Sequence, residues 1–113
     1  MNEWDKFTSE YLVFMKNVTQ DYYPGSNVTF FLLLGPMQPL APAAATVAAV
    51  EQGNAAGFRV VFVNASAACT PNLTGCYDGC ATHPGVGSHR NIARTAAPII
   101  AATLGGPMPG VLS

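Results

Sequence analysis

A chain of 113 residues, half of them hydrophobic and 10% charged, is one modest domain with enough apolar side chain for a core. Its net charge is −1, and its two lysines and three arginines are scattered, which excludes the basic surface that a nucleic-acid partner requires. The longest apolar run, Val28 to Leu34, is strand-sized and too short for a membrane span.

From Glu3 to Tyr22, large apolar residues recur in steps of three and four: Trp4, Phe7, Tyr11, Phe14, Val18 and Tyr22. This spacing predicts a helix that turns its aromatic stripe to the core. Tyr23-Pro24-Gly25-Ser26 breaks it. Asn27 to Leu34 is apolar without alternation, as in a strand buried on both faces of a parallel sheet. Gly35-Pro36 ends the strand, and Pro39 to Pro42 reads as an extended loop. Ala43 to Gly53 is an alanine-rich helix with Val47 and Val50 facing inward; Asn54 and Gly57 supply its stop. Phe58 to Val63 is a second buried strand. A long loop follows, and beyond His83-Pro84 comes a helix with Ile92, Ala96, Ile99 and Ile100 on its apolar face. Proline suits the first position of that helix, where its missing N–H has no intrahelical partner.

Strands alternating with helices imply an α/β fold with a parallel sheet. Its ligand site is expected beyond the carboxyl ends of the strands. Three loops belong to that edge: Gly35 to Pro42, Asn64 to Cys80, and the run into His83. His83 is thereby a candidate catalytic base on a loop at a helix start.

The first residues, MNEWDKF, are unlike a signal peptide. Four N-x-S/T sequons nevertheless point to a secreted or secretory-lumen protein: Asn17, Asn27, Asn64 and Asn72. Asn72, in a polar loop between cysteines, is the expected preferred glycosylation site. A cytosolic protein with accidental sequons is the alternative. Cys69, Cys76 and Cys80 could form a disulfide that ties down the His83 loop, with the pairing open. Together with His83 they could instead bind zinc, but the spacing lacks a paired knuckle, so no metal or cofactor is expected.

The segment Gly79-Cys80, His83-Pro84, His89 six residues on, and Asn91-Ile92-Ala93 resembles the last block of the SGNH/GDSL hydrolases. The nearest likeness is to their acetyl-carbohydrate esterases, carbohydrate esterase family two and its relatives. Asn2-Glu3-Trp4 before the first helix and Gly35-Pro36-Met37 after the first strand extend the resemblance. It implies a three-layer α/β/α, flavodoxin-like fold with a parallel sheet. It also implies His83 as general base, Asn2 as oxyanion-hole donor and Asp78 as the group orienting His83. In that family an Asp usually stands two or three residues before the His; here those positions hold Ala81 and Cys80, so a Ser–His dyad is the other option. His89 is expected to make a structural hydrogen bond.

None of the five serines follows a Gly-Asp in a strand-to-helix turn. The resemblance therefore implies that residues 1–105 are the C-terminal part of an SGNH domain and 106–113 a flexible tail. The nucleophile would lie in a missing N-terminal part of the same domain. The chain alone is then expected to be inactive and prone to associate. The implied substrate is an acylated carbohydrate or another small ester. A non-catalytic or degenerate secreted homologue is the competing expectation.

Overall fold

The computed structural model describes residues 2–36, 40–69, 79 and 83–105. It is an α/β arrangement of three helices and two parallel, adjacent strands. The chain divides into two compact units. One holds α1 (Glu3–Asn17), α2 (Leu40–Ala55), and the strands β1 (Thr29–Leu34) and β2 (Arg59–Asn64) up to Leu33 and Phe62. The other holds the strand ends from Leu34 and Val63, a 3-10 turn (Ser66–Ala68) and α3 (Val86–Leu104). Residues 106–113, expected to be a tail, lie outside the described residues.

In the first unit, Asn2 caps α1: its Oδ1 accepts from the N–H groups of Trp4 and Asp5 at 3.0 and 2.8 Å. Such a cap supplies an acceptor to two orphan N–H donors of the first turn, and Glu3 and Asp5 suit the positive end of the helix dipole. The helix continues as a single π-helical stretch from Val18 to Tyr22 before the turn at Gly25, where φ is 77°. Its buried residues are Thr8 and Met15, the latter fully enclosed. Met15, Leu32, Ala49 and Val60 form the core of this unit, with Tyr11, Leu12, Phe30, Val50 and Phe58 packed around them. Burial of a whole Met side chain stabilises by about 1.5–3 kcal/mol.

The aromatic stripe runs beside this core rather than in it. Phe14 is 55% exposed and Tyr22 also stands in solvent. The rings touch one another in sequence, with centroids 6.1 Å apart for Trp4–Phe7, 5.0 Å for Phe7–Tyr11 and 6.2 Å for Tyr11–Phe14. The helical phase that buries Met15 leaves positions one residue earlier on the rim of the interface.

Two features of α2 also differ from the sequence reading. Helix begins at Leu40, so Pro42 is helical rather than part of an extended loop. A proline within the first turn removes only an N–H that has no intrahelical acceptor. The inward face is Ala45, Ala49 and Gly53, spaced by four, whereas Val47 is exposed. A Cβ at Gly53 would stand 2.7 Å from Cγ2 of Val60 and 3.0 Å from Cε of Met15, so the small face lets α2 close tightly on its neighbours.

Asn54 then joins α2 to β2. Its Nδ2 donates to the Val60 carbonyl at 2.9 Å, and its Oδ1 accepts from the Val60 N–H at 3.0 Å. Both backbone groups of one strand residue point the same way, so the amide closes the edge of β2 that faces away from β1.

In the second unit, the N–H of Ala65 donates to the carbonyl of Leu34 at 2.9 Å, extending the strand pairing past Asn64. Asn64 Oδ1 accepts from the N–H and Oγ of Ser66 at 3.1 and 2.6 Å and starts the 3-10 turn. Asn91 Nδ2 donates to the Ala68 carbonyl at 3.2 Å, tying α3 to that turn. Gly105, at φ 85°, ends α3.

Candidate active site

His83 is exposed and lies on the loop that enters α3. The loop folds back on itself here: the N–H of Gly79 donates to the His83 carbonyl at 2.9 Å. A Cβ at Gly79 would be 2.8 Å from the His83 oxygen and 3.0 Å from that of Pro84, so glycine is what allows this closure. Asp78, the candidate for orienting His83, lies outside the described residues, but its neighbour Gly79 is thus in contact with the His83 backbone.

Pro84 is not the first helical residue. Gly85 is the N-cap and Val86 begins the helix. His83 therefore stands three residues before α3. A glycine cap has no side chain to bond the first-turn N–H groups, and no acidic residue stands in that turn. Ser88, in the same turn, is 0% exposed, and its Oγ has no hydrogen-bond partner among the described residues. An unsatisfied buried hydroxyl costs on the order of 1–3 kcal/mol.

His89 is exposed on α3. Its backbone N–H donates to Gly85 at 3.1 Å, while its side chain makes no hydrogen bond among the described residues, contrary to the structural role expected for it. Arg90 and Arg94, one helical turn apart, are also exposed.

Asn2 is an ordered helix cap in the first unit. Capping occupies its Oδ1 and leaves the Nδ2 donor, the atom an oxyanion would need. Of the sequons, Asn17, Asn27 and Asn64 are exposed, while Asn72 lies outside the described residues. Cys69 is disulfide-bonded and 3% exposed; Cys76 and Cys80 lie outside the described residues.

The sequence reading missed a polar groove in the second unit, lined by Asn64, Ala67, Ala68, Asn91, Arg94 and Thr95. The available signal was charge pattern: two arginines spaced i, i+4 on a helix that carries no acid.

No family model matches this chain, and neither a curated protein nor a solved structure matches it.

Proposed function

We propose that this chain carries the general base of an SGNH-type ester hydrolase that deacetylates carbohydrate. The observation that carries the reading is His83: an exposed imidazole on a backbone pinned by Gly79, at the entrance to the helix that follows the second parallel strand. Loops after parallel strands are where α/β folds hold their ligands. The resemblance of His83-Pro84, His89 and Asn91-Ile92-Ala93 to the final SGNH block supplies the reaction class.

In this reading a serine hydroxyl, contributed from outside these 113 residues, attacks the acetyl carbonyl carbon and gives its proton to the His83 imidazole. The bond from carbonyl carbon to sugar oxygen breaks, and the imidazolium returns the proton to that oxygen. Water then attacks the acetyl-serine by the same base, releasing acetate and restoring the serine. The resemblance assigns the oxyanion-donor role to Asn2 and the orienting role to Asp78.

Steady-state turnover of a simple acetyl ester by the full-length gene product tests this. His83→Ala should lower kcat by roughly a hundredfold to ten-thousandfold while the far-ultraviolet circular dichroism stays unchanged. Undiminished turnover by the variant, or no esterase activity in the parent, would remove His83 from any such mechanism.

A further inference from the structure

The groove beside α3 is rich in donors, and no acid lines it among the described residues. Arg94 is exposed and makes no hydrogen bond or ion pair among the described residues. Asn64 commits its Oδ1 to Ser66, which leaves both Nδ2 protons. Asn91 spends one Nδ2 proton on the Ala68 carbonyl and keeps the other. Thr95 gives its hydroxyl proton to the Asn91 carbonyl at 3.0 Å and is left as an acceptor. Ala67 and Ala68 also line the groove.

Arg90 and Arg94 are like charges at i, i+4 on α3, a mildly destabilising pairing, and of the two Arg94 lines the groove. Asp78 is the only acid in the sequence beyond Glu51.

We infer that this groove binds a carboxylate-bearing ligand the size of one sugar acid. The planar guanidinium of Arg94 matches a carboxylate through two parallel hydrogen bonds. The amide protons of Asn64 and Asn91 suit hydroxyl or ring oxygens. A volume of about 310 Å³ accommodates a single ring and is at the small end of ligand sites. One lining arginine, with no lysine, favours a monoanion over a phosphate. The site stands apart from the ester-hydrolase reading, because it depends on Arg94 and its neighbours and on no step of catalysis.

The test is a nuclear magnetic resonance titration of the chain with glucuronate, glucose and inorganic phosphate, following the side-chain amide signals of Asn64 and Asn91. Glucuronate should give saturable shifts with a Kd on the order of 1 mM. Glucose and phosphate should bind at least about tenfold more weakly, the free-energy scale of one charge-assisted pair. Arg94→Gln should weaken glucuronate at least about tenfold, and so should Thr95→Glu, which adds a negative charge to the wall. Lys16→Gln, on α1, should leave it unchanged. No saturable shift, equal binding of glucose, phosphate binding as tight as glucuronate, or full affinity in Arg94→Gln would each overturn the assignment.

Discussion

Gly53 decides how closely α2 can approach Met15 and Val60. An alanine there gains about 1 kcal/mol in helix propensity, but its Cβ lands 2.7 Å from a Val60 methyl. Met15 can yield at its flexible end, whereas Val60 is fixed in a strand. Overpacking of a core typically costs about 1–3 kcal/mol, so the steric term should win. Gly53→Ala is expected to lose about 1 kcal/mol in a urea denaturation series. A gain in stability would show that β2 moves aside at little cost. The sequence offered Gly53 only as part of a helix end. Its role depends on Val60, seven residues on and across a turn, and no local pattern reports such a contact.

At the scale of elements, the two strands treat their outer edges differently. Asn54 closes the outer edge of β2 at Val60. The outer edge of β1 has no strand beside it among the described residues. Instead, a cavity of about 190 Å³ and mixed polarity borders it, lined by Phe7, Tyr11 and Phe14 of α1, by Thr46 of α2 and by four consecutive strand residues, Phe30 to Leu33. Successive side chains of a strand point to opposite faces, so a cavity touching four in a row follows the strand's edge. An open edge, with its unpaired backbone N–H and C=O groups, is a template for another strand. The chain should therefore self-associate with rising concentration in sedimentation velocity. Leu33 is 44% exposed, and Leu33→Lys should shift the distribution toward monomer by placing charge on that edge. Equal association in parent and variant would put the contact elsewhere.

The same elements show what was legible beforehand. Both strands were, because continuous apolar runs bounded by Gly and Pro have few other readings. The helices were legible in existence and less so in detail. Periodicity found α1 but set its buried face one residue off, since aromatic bulk attracts the assignment while Met15 and Thr8 sit at the centre. Pro42 looked like a break, although a first-turn proline costs a helix almost nothing.

For the whole molecule, alternation of strands and helices correctly implied parallel pairing of β1 and β2. The His83 loop was legible as a loop before a helix, because Gly and Pro mark it. The backbone bond between Gly79 and His83 was not, since loop closure is set by φ and ψ at glycines and leaves no side-chain pattern. The Arg94 groove was equally hidden: Asn64 and Asn91 are 27 positions apart in the sequence, and only the fold makes them neighbours. The central claim, that His83 is the proton acceptor in ester hydrolysis, is tested most directly by chemical rescue. His83→Gly in the full-length gene product removes the imidazole at an exposed position. Added free imidazole should restore acetyl-ester turnover at least about tenfold, saturably, as a diffusible general base fills the gap. A His83→Gly enzyme that keeps the parent's rate, or one whose lost rate imidazole does not raise above that seen with Asn2→Ala, would contradict the account.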